Sequence, residues 1–206
     1  MGNRNRVFNG AVIAAEPQDF FYKGGDTIAV IGDDNVIREN VVINRSSTAE
    51  GRTSIGNDNF LHEGVHVSHD TRIGNRSVFG YGSKISGNCI LEDYVIFGGN
   101  VLMSQGSRVG AWAMIQTGCR FRKDIPPFIV AAQEPTTYYG VNSFIMSHEG
   151  FSEKVIKHIS HAYRIIFQGN SSLTDALLMI KDQVPMSKEI QHIIDFVGES
   201  KLGIVK

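Results

Sequence analysis

Hydrophobic side chains recur at every sixth position through the middle of the chain, from residue 55 to residue 121. The residue four places after each of them is usually small. A period of six matches neither the repeat of an α-helix nor the alternation of a half-buried strand. It is typical of a parallel β-helix, in which three six-residue strands form one triangular coil. The twelve positions are Ile55, Leu61, Val67, Ile73, Phe79, Ile85, Leu91, Phe97, Met103, Val109, Ile115 and Phe121.

The repeat continues toward the N terminus. Met1 and Gly2 take the place of a repeating Ile-Gly pair, so the chain is expected to begin inside the β-helix, with an uncapped edge. Either another subunit or a bound segment covers that edge, or coils have been lost from this end. The additional positions with the same spacing are Met1, Val7, Ile13, Ile31, Ile37 and Ile43.

Two segments interrupt the repeat without breaking its register of six. Residues 16–27 are rich in aromatic residues and glycine, and residues 44–54 are polar and rich in turn formers. We predict loops at both, with degenerate coil as the alternative.

Pro126 and Pro127 cannot continue a hydrogen-bonded ladder, so we predict a β-helix domain over residues 1–127.

A helical pattern follows a connector predicted at residues 128–151. Ser152 can cap a helix that ends near Gly169, and Leu173–Lys181 and Lys188–Val197 indicate two more short helices. We therefore predict a small helical bundle over residues 152–206 that covers the end of the β-helix. A narrow stack of coils with flat outer faces also favours a homotrimer around a three-fold axis.

Composition narrows the possible functions. The 206 residues carry a net charge of −1, which argues against a general nucleic-acid binder. The sequence has no apolar run long enough to cross a membrane and no signal peptide. Cys89 and Cys119 fall at small inward positions on different faces, so we expect reduced thiols and a cytoplasmic protein. Residues 72–123 carry seven Lys and Arg against Glu92 and Asp93, an excess that suits an acidic partner or is simply a solvated face.

Coils of eighteen residues place residues eighteen apart above one another, about 4.8 Å apart. His69 is then expected beneath Gly87, and Gly87 beneath Gln105. Asp70 can orient the imidazole of His69 as a general base, and Gly87 can offer a bare N–H to an oxyanion. This patch suits acyl transfer from a thioester to a hydroxyl or an amine. The same columns bring in His66, Ser68, Lys84, Ser86, Asn88 and Ser104.

A metal site is the competing interpretation of the histidines. His62, His66 and His69 all lie in one short stretch, and no histidine falls one or two coils away. A tetrahedral site needs ligands that converge from several directions. We therefore predict no metal.

The chain resembles the acyl-carrier-protein-dependent UDP-N-acetylglucosamine O-acyltransferases of lipid A synthesis, over nearly its whole length. The H-x-x-H-D motif at residues 66–70 and the C-terminal helical pattern are specific to that family among hexapeptide-repeat proteins. The segments that carry the resemblance are DNFLHEGVHVSHDTRIGN (58–75), GGN (98–100), Ser104-Gln105, KDIPPFIVA (123–131), YGVN (139–142), GFS (150–152) and Ala162-Tyr163.

The resemblance implies a left-handed parallel β-helix that forms homotrimers with active sites between subunits. It implies that His69 is the general base for the sugar 3-hydroxyl, that Asp70 orients it and that the Gly87 N–H stabilises the oxyanion. It implies no cofactor, since the thioester of acyl carrier protein is the acyl donor, and the basic stretch 72–123 would face that carrier. Residues implied to bind substrate are Gln18 and Asp19, which share one loop, His66, Gln105 and Asn142.

Several positions depart from the family pattern. Asn88 and Ser104 stand where histidines are common, and we keep both as candidate substrate contacts. The other departures are Phe21 for a lysine, Phe144 for a glutamate, His148-Glu149 for two basic residues, and Thr117 for a glycine that leaves room for a long acyl chain.

Two alternative functions therefore stay open. One is a paralogue that acylates a different UDP-amino sugar on oxygen or nitrogen. The other is a non-catalytic trimeric scaffold with a decayed nucleotide site.

Overall fold

A computed structural model describes all 206 residues, and most of its strands are only two residues long. In chain order the first strands are β1 (Arg6–Val7), β2 (Val12–Ala15), β3 (Ile28–Ile31), β4 (Val36–Ile37), β5 (Val42–Asn44) and β6 (Arg52–Ile55). They are followed by β7 (Phe60–Leu61), β8 (His66–Val67), β9 (Arg72–Ile73), β10 (Val78–Phe79), β11 (Lys84–Ile85), β12 (Ile90–Leu91), β13 (Ile96–Phe97), β14 (Leu102–Met103), β15 (Arg108–Val109), β16 (Met114–Ile115) and β17 (Arg120–Phe121).

Every third strand pairs in parallel, which makes three sheets and confirms the parallel β-helix. The first sheet has the order β1-β4-β7-β10-β13-β16, and it continues into two later strands. The second contains β2, β5, β8, β11, β14 and β17, and the third β3, β6, β9, β12 and β15. The coil is left-handed, as the resemblance implied.

The two interruptions change the coil length in steps of six. A corner ladder links Asn59 to Ser77 eighteen residues on, whereas Asn35 and Asn59 are 24 residues apart and Asn5 and Asn35 are 30 apart. The longer coils hold residues 16–27 and 45–51, which lie outside the strands. We call them the aromatic loop (16–27) and the hydroxyl loop (45–51). The hydroxyl loop is shorter than the predicted 44–54, because Asn44 and residues 52–54 join β5 and β6.

All twelve of the six-spaced positions from 55 to 121 are buried. The small positions between them, such as Thr71, Ser83 and Cys89, are buried as well. Burying each large aliphatic side chain contributes about 1.5–3 kcal/mol. Cys89 and Cys119 are both free thiols, and burial raises the pKa of Cys89 to about 12.

The β-helix extends beyond residue 127, where the sequence prediction ended it. The prolines occupy an irregular segment, and β18 (Ile129–Ala132) then resumes the first sheet in parallel with β16. Strand β19 (Thr137–Val141) closes that sheet antiparallel to β18. The predicted connector is therefore largely a hairpin, followed by a short helix α1 (Ser143–His148) that the pattern did not indicate.

Three longer helices complete the chain, as predicted. They are α2 (Glu153–Gln168), α3 (Leu173–Gln183) and α4 (Lys188–Gly198). Ser152 caps α2 by accepting a hydrogen bond from the N–H of Val155. Tyr163 is fully buried and its hydroxyl donates to the carbonyl of Pro127, so α2 packs directly on the end of the β-helix. None of the helices combines the length and the apolar character that crossing a bilayer requires.

Candidate active site

The corner after β8 and β11 places an imidazole directly against a glycine. His69 is buried, with 8% of its surface exposed. A Cβ on Gly87 would lie 2.6 Å from both Cε1 and Nε2 of His69, a contact too short for any real side chain. Only glycine at this position therefore lets the ring lie here. The N–H of Gly87 makes no hydrogen bond within the chain, so it is free to donate to a bound group.

Asp70 holds the other side of the imidazole. Its Oδ2 lies 2.9 Å from Nδ1 of His69. The residue has a φ of 58° at the corner, and its N–H donates to Thr53 Oγ1 at 2.9 Å. This left-handed conformation, which aspartate tolerates better than most residues, lets adjacent side chains meet instead of pointing to opposite faces. The sequence prediction of a His69–Asp70 pair stacked under Gly87 agrees with this geometry.

The hydroxyl loop folds over Asp70 and surrounds its carboxylate with donors. Ser47 donates from its N–H at 3.1 Å and from its hydroxyl at 2.9 Å to Oδ2. Thr48 donates at 2.9 Å to Oδ1, and Ser46 also donates to Oδ1. Sequence reasoning missed all three residues. The signal was present in the run Ser46-Ser47-Thr48, but the length of an interruption does not show which way its side chains face.

These bonds set the charge of Asp70. Burial alone would raise the pKa of its carboxyl, but hydrogen bonds from Ser46, His69 and Ser47 outweigh it and hold the pKa well below its usual range. A carboxylate that accepts several hydrogen bonds is stabilised in its charged form. Asp70 is therefore an anion beside His69 at neutral pH.

His66 is the second histidine of the site. Its Nε2 lies 2.8 Å from Oδ1 of Asn44, and Asn44 donates in turn to the carbonyl of Glu16 at 2.8 Å. Burial lowers the pKa of His66, and the positive charge of Lys84 lowers it further. His66 is therefore neutral at pH 7, and Asn44, which the sequence did not single out as functional, fixes its ring.

A cavity of about 500 Å³ opens beside this corner. It brings together five residues that the sequence analysis assigned to the site: His69, Gly87, His66 and Gln105, with Gln18 from the aromatic loop. Its wall is polar, and Ile85 is its one apolar side chain. The remaining lining residues are Ser68, Lys84 and Ser86.

Four predicted substrate contacts do not line this cavity. Asp19 accepts a hydrogen bond from the N–H of Phe21 within the aromatic loop at 2.9 Å. Asn88 is exposed beside Gly87, and its N–H donates to the carbonyl of His69 at 3.0 Å. Ser104 lines a separate basic cavity of about 470 Å³. Asn142 is buried before α1, donates to the carbonyl of Trp112 at 2.9 Å and lines a third cavity of about 500 Å³.

The arrangement has the parts needed for acyl transfer. An imidazole with its Nδ1 side tied to an anion can accept a proton at Nε2. The adjacent unpaired N–H can stabilise an oxyanion. No group of three or more His, Cys, Asp or Glu side chains is placed to hold a metal ion.

Two family models match different parts of the chain. The model for bacterial transferase hexapeptide repeats matches residues 52–87. The model for domain 2 of UDP-N-acetylglucosamine O-acyltransferase matches residues 124–205. The first covers the coils that carry His69 and Gly87, and the second covers β18, β19 and the helices.

Whole-chain relatives agree with these models. The acyl-(acyl-carrier-protein)–UDP-N-acetylglucosamine O-acyltransferase of Myxococcus xanthus is 35% identical over 207 aligned residues, which cover 100% of this chain and 80% of the relative. The solved UDP-N-acetylglucosamine acyltransferase LpxA of Bacteroides fragilis is 50% identical, with a TM-score of 0.98 over 100% of this chain and 80% of that one. LpxA of Acinetobacter baumannii is 31% identical, with a TM-score of 0.93 over 98% and 79%. The chain therefore belongs to the family of acyl-(acyl-carrier-protein)–UDP-N-acetylglucosamine O-acyltransferases.

Proposed function

We propose that this protein moves a fatty acyl group from the thioester of acyl carrier protein to the 3-hydroxyl of UDP-N-acetylglucosamine, as in lipid A synthesis. Its relatives are named for this reaction. The observation that carries the proposal for this chain is the stacking of His69 between Asp70 and the unpaired N–H of Gly87. A non-catalytic scaffold would not require this arrangement.

In the proposed step, Nε2 of His69 removes the proton of the sugar 3-hydroxyl as its oxygen attacks the thioester carbon. The carbonyl oxygen becomes an oxyanion, which accepts a hydrogen bond from the N–H of Gly87. The intermediate collapses, the C–S bond breaks and the imidazolium returns its proton to the departing thiolate. Asp70 stabilises the imidazolium throughout. The donor thioester drives the transfer, so no further cofactor is needed.

Substrate binding is assigned to residues around the same cavity. Gln18, His66 and Gln105 line it, and a neutral His66 fixed by Asn44 can share a hydrogen bond with the sugar nucleotide. Asp19, Asn88, Ser104 and Asn142 remain predicted contacts.

Assembly and partner follow from surfaces outside that cavity. We propose a homotrimer with its active sites between subunits, because Asn142, which the resemblance assigns to substrate binding, lies in a different cavity of the same chain from His69. The cavity beside Ser104 is lined by Arg120, Arg122 and Lys123, and this positive charge suits the acidic acyl carrier protein. The buried reduced thiols fit a cytoplasmic location.

The test is turnover by the purified protein. Acyl carrier proteins loaded with acyl chains of several lengths are incubated with UDP-N-acetylglucosamine and with its 3-amino analogue, and products are read by mass spectrometry. We expect O-acylation of the first sugar. Transfer only to the amine would instead identify an N-acyltransferase, and no transfer with any donor would support the scaffold.

The role of His69 is tested in the same assay. We expect His69→Ala to lower kcat/KM by about 10²- to 10⁴-fold, without loss of the assembled particle. His62→Ala is the matched control, because His62 is exposed on the same strand stretch and packs on Phe60. An unchanged rate in the His69 variant refutes the proposed mechanism.

A further inference from the structure

Asp70 keeps its charge in an unusual way for a buried carboxylate. Only 12% of its side chain is exposed, and its one ion-pair partner is His69 itself. No lysine or arginine lies within 4.0 Å of it. The charge is instead stabilised by neutral donors of the hydroxyl loop, so Asp70 remains available to interact with the imidazole.

The donors divide unequally between the two carboxylate oxygens. Oδ1 accepts from Ser46 and Thr48. Oδ2 accepts from the N–H and hydroxyl of Ser47 and faces Nδ1 of His69. A carboxylate offers about four lone-pair sites, so these five contacts fill it.

Ser47 differs from the other loop hydroxyls because it also touches the imidazole. Its Oγ lies 3.0 Å from Nδ1 of His69 and 2.9 Å from Oδ2 of Asp70. A hydroxyl has one proton. When that proton goes to the anion, the lone pairs of Oγ face Nδ1. Two acceptors, Oγ and Oδ2, then surround Nδ1, so the tautomer with hydrogen on Nδ1 and a free lone pair on Nε2 is favoured.

We propose that Ser47 is a positioning residue for acyl transfer, whose hydroxyl bridges Asp70 and His69 and holds the imidazole in the tautomer with a basic Nε2. This inference rests on the proposed role of His69 as the general base. Ser46 and Thr48 hold the far oxygen of Asp70 and act one step further away. The hydroxyl loop thus helps to position the His69–Asp70 pair, although none of the loop's side chains lines the cavity.

The experiment compares Ser47→Ala with Ser47→Thr, Ser46→Ala and Ser171→Ala in the full-length protein. Thr keeps the hydroxyl, Ser46 contacts Asp70 without reaching His69, and Ser171 is an exposed serine between α2 and α3. Ser47→Cys, whose thiol is a weak donor and acceptor, gives a second test that does not depend on the folding of the alanine variant. Kinetics are combined with ¹⁵N NMR of labelled histidine, with the His69 signals assigned from His69→Ala.

We expect Ser47→Ala and Ser47→Cys to lower kcat about tenfold or more while KM stays within about twofold, since a hydrogen bond to a charged group is lost. The ¹⁵N shifts of His69 should move toward a larger share of the Nε2–H tautomer, because Asp70 Oδ2 is then the one acceptor left at Nδ1. Ser47→Thr should restore kcat to within about threefold, Ser46→Ala should keep the tautomer, and Ser171→Ala should match the wild type.

An unchanged tautomer in Ser47→Ala and Ser47→Cys overturns the proposal, whatever happens to kcat. A loss of kcat that Ser47→Thr does not restore overturns it as well. Failure of this inference is distinguishable from failure of the proposed function. If His69→Ala is inactive while the Ser47 variants behave as wild type, only Ser47 loses its role; if His69→Ala is active, the general base itself is wrong.

Discussion

The aromatic loop and the hydroxyl loop interrupt the coils in the same manner but are held in opposite ways. The aromatic loop exposes Phe20 and Phe21, which are 92% and 78% exposed as whole residues. It contributes Gln18 to the cavity. The hydroxyl loop turns its Ser46-Ser47-Thr48 run inward and contributes no wall of the cavity. One loop faces the cavity, and the other faces the His69–Asp70 pair.

The loops meet at one residue. Arg45 donates to the carbonyl of Ala14 and to the Tyr22 hydroxyl, both at 3.3 Å, and its guanidinium lies 3.8 Å from Glu16. These contacts are long compared with the bonds to Asp70, and Glu16 is largely exposed. The comparison teaches that the insertion anchored by a buried carboxylate contacts His69. The insertion without such an anchor instead lines the cavity through Gln18.

The largest expected effect comes from removing that anchor. Asp70→Asn replaces the anion by an amide that the hydroxyls cannot stabilise as well, and it no longer stabilises the imidazolium. We expect kcat to fall about 10²-fold or more, measured by acyl transfer at saturating sugar nucleotide.

The matched control is Asp58→Asn. Asp58 has nearly the same corner conformation, with a φ of 57° against 58° for Asp70, but it is exposed at a different corner, near Arg76. We expect the rate of this variant to equal that of the wild type. Equal losses in both variants would show that the corner backbone, and not the charge beside His69, carries the effect.

The second prediction concerns acid stability. Hydrogen bonds from Ser46, His69 and Ser47 outweigh burial and lower the pKa of Asp70 in the folded protein. A lowered folded pKa stabilises the fold fully above the unfolded value of about 4, and that contribution is lost as pH falls through this value toward the folded pKa. We therefore expect the urea midpoint of the wild type to fall more steeply between pH 5 and pH 3 than that of Asp70→Asn. Parallel curves would contradict the anchoring of the hydroxyl loop by the anion.

The sequence was sufficient for the β-helix because its signal is repetitive. Each six-spaced residue such as Phe79 or Ile85 marks an inward hydrophobic position, so the register could be followed across both insertions. The column of His69 and Gly87 followed from that register alone. The assignment of roles to Gln18 and Asn142 required a family resemblance, since neither belongs to the stacked columns.

What the sequence did not reveal lies where the repeat stops. Pro126 and Pro127 stop the ladder only locally, and β18 resumes it because Ile129 to Ala132 return to the open edge of β16. The direction of the Ser46-Ser47-Thr48 run depends on a carboxylate more than twenty residues away. A non-periodic segment has no register from which its partners follow, so such contacts need coordinates.

The smallest predicted effect tests the aromatic loop. Gln18→Ala removes an exposed side chain that lines the cavity but makes no hydrogen bond to His69 or Asp70. A neutral hydrogen bond is worth about 0.5–1.5 kcal/mol, so KM for the sugar nucleotide should rise by about two- to tenfold while kcat stays within about twofold. Gln18→Asn, which keeps the amide on a shorter stem, is the companion variant and should recover part of the loss.

Because Ser47→Ala is expected to lower kcat and leave KM nearly unchanged, the two loops should give opposite kinetic signatures, measured in one assay. A fall in kcat with Gln18→Ala as large as that with Ser47→Ala would mean that both loops position the base, and the division between binding and catalysis would be wrong.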